Sequence, residues 1–305
     1  MSTSTTGQIY PLNRDQSAEL VRLSTAAVAA AGIAVTWDGG HTLETTDEGG
    51  PVLGLSNLAR TLASQDKKDW PGLVVEHFAV VLEQLRQGAP AAPADPERQL
   101  IQRLIPRAAL PADWTADRPD FVPGLVSVPS VVSESSVTMY LDPPAGLGLT
   151  WSAAEGFGLA NLRGLTCDVE YIDHDDMRVA VVTGSPSAAS KALTLDDVLE
   201  NCLNVDASKY GVLAALPARD ALMIHVIEDL TVIPALGFLL GAATRYFHAA
   251  PSPFTPDVYR VTPDQTWHPA TATRPGRATQ LLSAHMADLV QEIAAREAMN
   301  AAWRE

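Results

Sequence analysis

The stretches CDVEYIDHDDMRVAVVT, residues 167–183, and YGVLAALPARDALMIHVI, residues 210–227, decide the fold of this chain. Each contains two runs rich in β-branched and apolar residues around a short polar break, which is typical of a β-hairpin. The first hairpin alternates in character, whereas the second is nearly unbroken in apolar residues. We therefore expect both faces of the second hairpin to be covered by other parts of the chain.

A helix is predicted to begin at Trp151, ahead of the first hairpin. Ser152 and Glu155 fit a capping box, in which each side chain satisfies a free backbone amide at the start of the helix. Gly156 and Gly158 each weaken such a helix by about 1 kcal/mol relative to alanine. We expect these glycines to be tolerated if another backbone packs closely against the helix.

Two further helices are predicted, one over residues 188–203 between the hairpins and one that begins at Pro234 after them. Residues 151–249 therefore use a helix-plus-hairpin unit twice. Strands joined by short turns pair antiparallel. The pattern thus predicts an α+β (mixed α/β) fold, with helix–hairpin units packed on a mainly antiparallel sheet.

A small N-terminal α/β unit is predicted over residues 13–88, after a disordered tail at residues 1–12. Its first helix is expected over residues 15–31, with Asp15 or Ser17 as the cap. Short strands and two more helices are expected to follow within this unit.

The last helix of this unit is predicted to begin at Asp69-Trp70-Pro71, a capping carboxylate with proline in the first turn. Its expected apolar face consists of Val74, Phe78, Val81 and Leu85. His77 borders that face and is a candidate catalytic residue. A structural histidine is the alternative, because the H-E-x-x-H partner of a zinc protease is missing.

The remaining chain is predicted to form a Pro/Ala linker at residues 89–99, a main α+β domain at 100–262, a polar loop at 263–278 and an amphipathic helix at 279–305. We expect this last helix to dock onto the body of the protein rather than to form a coiled coil. Its apolar stripe consists of Leu282, Met286, Leu289 and Ile293.

The composition is that of an acidic globular protein. The chain has 305 residues, of which 47% are hydrophobic, and 21 basic against 36 acidic residues give a formal charge of −15. A strongly negative chain argues against nucleic-acid binding, since nucleic-acid binders carry a basic face. The N-terminus lacks the features of a secretory signal, and the longest apolar run, residues 233–243, is too short to span a bilayer. We therefore expect a cytoplasmic protein that binds neither nucleic acid nor a membrane.

The two cysteines, Cys167 and Cys202, have no CxxC spacing, which argues against a zinc or iron–sulfur site built on thiolates. We expect buried free thiols in a reducing cytoplasm.

The turn of the first hairpin holds the densest group of potential metal ligands in the sequence, namely Asp173, His174, Asp175 and Asp176. Carboxylates and an imidazole could bind a divalent cation if other parts of the chain supplied further ligands. The alternative is an acidic, solvated hairpin tip.

His225 is the second candidate catalytic residue, because it lies in an apolar strand with Glu228 and Asp229 just beyond. A buried histidine beside a carboxylate could act as a general base, and the alternative is a hydrogen-bonded core residue. Arg163 is a third candidate, near the end of the helix that begins at Trp151.

Two functions are compatible with these patterns. The sequence contains no nucleophile elbow and no P-loop, and no cofactor is expected. The first hypothesis is a non-enzymatic interaction or accessory module that binds a protein or peptide partner through a surface of the central sheet or through the last helix. The alternative is an enzyme of unrecognised type, with or without a metal ion, that acts on a small molecule or peptide, with its site near the 173–176 turn, His225 or Arg163.

Several local strings, together with the order of elements over about residues 15–262, resemble the family described as domain of unknown function 1444, the YtpQ-like proteins. The strings are Trp70…Glu76-His77-Phe78, Leu104-Ile105-Pro106-Arg107, Leu159-Ala160-Asn161-Leu162, Asp196-Asp197-Val198-Leu199, the hairpin from Gly211 to Val226, and Ser252-Pro253…Asp257-Val258-Tyr259. The resemblance supports the fold predicted above. It implies no known activity, cofactor or site residue.

Overall fold

The computed structural model describes residues 7–46, 52–86, 93–110, 117–132, 137–140, 147–174, 176–185, 187–205, 208–273 and 280–303. The chain forms two units, one from the N-terminal 91 residues with two short later segments and one from most of the remainder. Every strand pairing in the described part is antiparallel and helices cover the strands, which confirms the predicted α+β fold. None of the helices in this part is long and apolar enough to cross a bilayer.

The first unit packs helices around a three-stranded sheet of order β1-β2-β3. Its elements are α1 (Arg14–Ala30), β1 (Val35–Trp37), β2 (Thr42–Thr45), β3 (Val52–Gly54), α2 (Ser56–Ala63) and α3 (Trp70–Arg86). One hydrophobic cluster joins the buried faces of the helices to Leu43 and Leu53 of the sheet.

The start of α1 differs from the prediction. Asn13 caps this helix through a capping box: its side chain accepts from the Gln16 backbone N–H, and the Gln16 side chain accepts from the Asn13 N–H. The prediction of Asp15 or Ser17 as the cap is wrong, because Asn13 already satisfies the first free amides.

Part of the predicted disordered tail, residues 1–12, is ordered instead. Ile9 and Leu12 are buried in the core of the first unit, and the Ile9 backbone N–H donates to Ser17 Oγ at 2.9 Å. Burial of these two apolar side chains orders the segment, although its Ser/Thr-rich composition predicted disorder. Residues 1–6 lie outside the described residues.

The buried face of α3 is shifted from the predicted one. Trp70, Val74, Phe78 and Leu82 are buried, while Leu85 is 38% exposed. The residues that are buried follow one another at intervals of four, which is more than one helical turn. The buried stripe therefore winds slowly around α3, and Leu82 rather than Leu85 reaches the core.

The second unit is built on a six-stranded antiparallel sheet of order β12-β11-β9-β10-β8-β7. Two smaller sheets, β4-β5-β6 and β13-β14, complete the strands of this unit. All described strands of the unit are β4 (Leu100–Pro106), β5 (Leu125–Val132), β6 (Val137–Met139), β7 (Asp168–His174), β8 (Met177–Thr183), β9 (Val212–Ala218), β10 (Ala221–Val226), β11 (Val258–Val261), β12 (Trp267–Pro269), β13 (Thr271–Thr273) and β14 (Gln280–Leu282). Its helices are α4 (Pro96–Gln99), α5 (Trp151–Arg163), α6 (Val232–Ala249) and α7 (Ala284–Ala302).

The hairpin β9–β10 lies in the middle of this sheet. All residues of β9 are buried, and so are all of β10 except Val226. One face packs against the helical segment 188–202 and the other against α6 and α7. The expectation that both faces of this hairpin are covered is therefore confirmed.

The predicted helix over residues 188–203 is not a regular α-helix. It consists of a 3₁₀ segment (Ala188–Thr194), a single α-turn (Leu195–Asp197) and a π-turn (Val198–Cys202). The segment is largely buried, and Ser190 Oγ accepts from the Leu104 N–H at 3.0 Å. Packing and side-chain bonds to β4 thus override the helical periodicity.

The cap of α5 also differs from the prediction. Thr150 accepts from the Ala153 N–H at 3.2 Å, so Thr150, and not Ser152, is the N-cap. The two hydroxyl residues are separated by only one residue, and the sequence alone does not distinguish them.

The C-terminal region contains more strand than predicted. β12 and β13 lie within the stretch expected to be a loop, residues 263–278, of which 274–278 are outside the described residues. α7 then docks onto the sheet as expected, with Met286, Leu289 and Ile293 buried. Leu282 lies in β14 before the helix and is 44% exposed.

Of the predicted linker 89–99, residues 96–99 form the single turn α4.

Cys167 and Cys202 form a disulfide, so the prediction of two free thiols is wrong. Cys167 immediately precedes β7, and Cys202 ends the π-turn; both side chains pack against the same hydrophobic cluster. The pairing depends on this tertiary contact, and the spacing of 35 residues gives no local signal for it.

Candidate functional site

β7 is the outer strand on one side of the six-stranded sheet, and no strand in the described part pairs with its outer edge. Five of its seven residues are exposed, and Tyr171 is 45% exposed. The strand at the opposite edge, β12, has only three residues and ends in Pro269. Exposed edge strands offer unpaired backbone groups to another chain, and β7 offers the longer row.

The register of the hairpin shows which backbone groups are available. His174 pairs with Met177 across a turn of two residues. In so tight a turn this last pair is hydrogen-bonded, and bonded pairs then alternate with non-bonded pairs along the ladder. The backbone N–H and C=O groups of Val169, Tyr171 and Asp173 therefore point away from β8.

A cleft of about 510 Å³ lies at the tip of this hairpin. The lining residues come from the hairpin and from the start of α6, and they are His174, Asp176, Met177, Leu230, Thr231, Pro234 and Phe238. Apolar side chains thus share the cleft with an imidazole, a carboxylate and a hydroxyl. A small number of polar groups in an apolar cleft is typical of ligand sites.

The surface along β7 is negatively charged. Asp168, Glu170 and Asp176 are exposed and have no ion pair with the basic side chains of the described residues. Asp173 is bonded by Arg178 at 2.7 and 3.3 Å, and this hydrogen bond lowers the pKa of the Asp173 carboxyl. Arg178 is therefore already paired with a carboxylate of β7.

The residues predicted as metal ligands are only partly brought together. His174 and Asp176 line the cleft, Asp173 is bonded to Arg178, and Asp175 lies outside the described residues. Within the ranges that the structure describes, no three or more His, Cys, Asp or Glu side chains are placed to hold a metal ion.

His225 is a buried residue of β10, only 4% exposed. Its Nδ1 lies 2.8 Å from the Arg178 carbonyl oxygen; because a carbonyl only accepts, Nδ1 carries the proton and donates. Nε2 is buried without a hydrogen-bond partner. Burial lowers the pKa of His225, against the opposing effects of the Arg178 carbonyl, Asp229 and Glu228. His225 is therefore a neutral core residue, and it does not line the cleft.

The other two candidates hold structural positions. Arg163, at the end of α5, donates to both carboxylate oxygens of Asp196 at 2.9 and 3.3 Å and so ties α5 to the segment 188–202. His77 belongs to the first unit, where its ring contacts the edge of Phe78 and burial lowers its pKa.

The edge of β7 was not among the sequence-based candidates, although the neighbouring turn was. A local signal for it exists: polar side chains occur on both faces of residues 168–174, whereas the partner strand is largely apolar. A strand with polar side chains on both faces is expected at the edge of a sheet, because no apolar layer packs against it.

Comparisons with protein-family models, with curated proteins and with solved structures find no match for this chain.

Proposed function

We propose that this protein is a non-enzymatic interaction module that binds an extended segment of a protein or peptide partner along β7. The observation that carries the proposal is the outer edge of β7, where Val169, Tyr171 and Asp173 direct backbone groups away from the sheet. Strand addition uses main-chain hydrogen bonds for affinity and side-chain pockets for specificity. The cleft beside His174 supplies such a pocket.

The proposal includes the cytoplasmic location and the family resemblance expected from the sequence. A disulfide between Cys167 and Cys202 is more usual in oxidising compartments. In the cytoplasm we would expect the two cysteines to be kept reduced. An enzyme is the alternative, and its site would be the same cleft, where the Thr231 hydroxyl donates to the Asp229 carboxylate at 2.5 Å.

Two substitutions at one position test strand addition. Tyr171→Pro removes an outward N–H and is tolerated at a strand edge, whereas Tyr171→Thr keeps the N–H and loses only the ring. Peptides selected by the wild-type protein from a random display library serve as probes. We expect Tyr171→Pro to weaken their binding by about tenfold relative to Tyr171→Thr. Equal binding by the two folded variants, or a library that yields no peptide sensitive to Tyr171→Pro, would overturn the proposal.

A further inference from the structure

We infer that the segment bound along β7 is cationic and carries one apolar anchor residue, with basic side chains opposite Asp168 and Glu170 and the anchor in the cleft beside His174. This inference rests on the proposed strand addition and names the chemical class of the partner. It follows from the alternation of side chains along β7, the position of the cleft and the charges of the edge.

Side chains at every second position of β7 share one face of the sheet. Asp168, Glu170 and His174 alternate in this way, and His174 lies directly opposite Met177, which packs in the cluster under α6. The two carboxylates and the opening of the cleft are therefore on the same face, with the carboxylates at one end of the strand and the cleft at the other.

An added strand places its own side chains opposite those of β7, at Cβ distances of about 5 Å. Partner side chains opposite Asp168 and Glu170 meet two exposed carboxylates that have no cation of their own among the described residues. Opposite charges at such positions stabilise the pairing, and like charges weaken it. Lysine or arginine therefore fits here.

The anchor follows from the cleft. A partner residue opposite His174 has β7 between itself and Met177, so its side chain must extend over His174 to reach the apolar lining formed by Met177, Pro234 and Phe238. An apolar side chain that enters the cleft removes its own surface and theirs from water. With a period of two along the strand, the partner pattern is basic, basic and apolar at positions i, i+2 and i+6, read in either chain direction.

A second copy of this chain is a poor occupant of the same edge. Two β7 strands side by side would bring Asp168 and Glu170 of one copy near the acidic side chains of the other, and like charges across strands are destabilising. The observations therefore favour a partner of opposite charge.

Two designed peptides test the inference directly. Both alternate threonine with the pattern residues and end in a leucine anchor; one carries lysine and the other glutamate at the two charged positions. We expect the wild-type protein to bind the lysine peptide about tenfold more tightly in fluorescence anisotropy. The double variant Asp168→Lys with Glu170→Lys should reverse this preference, and Tyr171→Pro should weaken the binding of either peptide.

A matched control changes the net charge equally on other elements. Glu97→Lys with Glu200→Lys alters exposed carboxylates of α4 and of the π-turn, and we expect the preference for lysine to persist. If both double variants change the preference alike, net charge explains it and the inference is overturned. If wild-type protein binds neither peptide, or binds both equally while Tyr171→Pro still abolishes binding of library peptides, the inference fails and strand addition stands.

If the binding of the lysine peptide is insensitive to Tyr171→Pro, the proposed strand addition fails as well. A dimer in sedimentation that dissociates in the Tyr171→Pro variant would assign the edge to a second copy and would overturn the cationic partner.

Discussion

A Cβ atom placed on Gly158 would lie 2.8 Å from the backbone nitrogen of Gln102. The helix α5 therefore approaches β4 so closely that only glycine fits at this position. Gly156, one half-turn away, has no neighbouring atom within 4 Å of such a Cβ. The sequence shows two similar glycines in one helix, and the structure gives them different roles.

These glycines predict substitutions of opposite sign. Gly158→Ala should lower the free energy of unfolding by about 1–3 kcal/mol, because backbone atoms of β4 must shift. Gly156→Ala should raise it by up to about 1 kcal/mol through helix propensity. Urea unfolding followed by circular dichroism measures both. A stabilising Gly158→Ala would mean that α5 does not lie against β4.

The disulfide predicts a redox-dependent stability. It closes a loop with a sequence separation of 35 residues, which in the chain-entropy account stabilises the folded state by about 3–4 kcal/mol. We expect a reductant to lower the melting temperature of the wild-type protein to that of Cys202→Ser. The same reductant should leave Cys202→Ser unchanged. Two titratable thiols in denatured wild-type protein that has first been exposed to an oxidant would contradict the pairing.

His225 predicts a loss of stability in mild acid. Burial lowers the pKa of His225 in the folded protein below its unfolded value near 6.5. The unfolded chain therefore binds more protons between these two pKa values, and stability falls as the pH falls through that window. His77 and His285, whose pKa values are also lowered, contribute with the same sign.

The variant His225→Asn isolates this contribution, since its amide can still donate to the Arg178 carbonyl and does not titrate. We expect its unfolding free energy to depend less steeply on pH below about 6.5, by at most about 1.4 kcal/mol per pH unit. The two other histidines remain as an internal background. Parallel pH curves for wild-type protein and His225→Asn would show that His225 is protonated equally in both states.

The apolar patterns predicted the centre of the fold well. The nearly unbroken run over residues 210–227 became the buried hairpin β9–β10, because burial on both faces requires apolar side chains at every position. Choices between neighbours were less predictable: Thr150 and Ser152 can both cap a helix, and only the backbone geometry selects Thr150. The segment 188–202 follows contacts with β4 that lie far away in sequence.

The candidate site was predictable only in part. The turn at residues 173–176 was singled out for its carboxylates, but Arg178, two residues beyond the turn, occupies both oxygens of Asp173. That β7 lies at the edge is a property of strand order, and its local sign is the polar character of both faces of residues 168–174. The cleft brings the hairpin tip to the start of α6, over 50 residues later in the chain, and so required the tertiary structure.

The cleft predicts a change in anchor preference when its lining is altered. Phe238→Ala removes an aromatic ring from the lining, and we expect it to weaken binding of the leucine-anchored lysine peptide by about tenfold, since a contact surface is lost. A phenylalanine-anchored version should lose less or gain, because it fills the enlarged cleft. Ile233→Ala is the control: Ile233 is on the same helix, 49% exposed and outside the lining. Equal losses with both anchors, or an equal effect of Ile233→Ala, would show that the anchor does not enter this cleft.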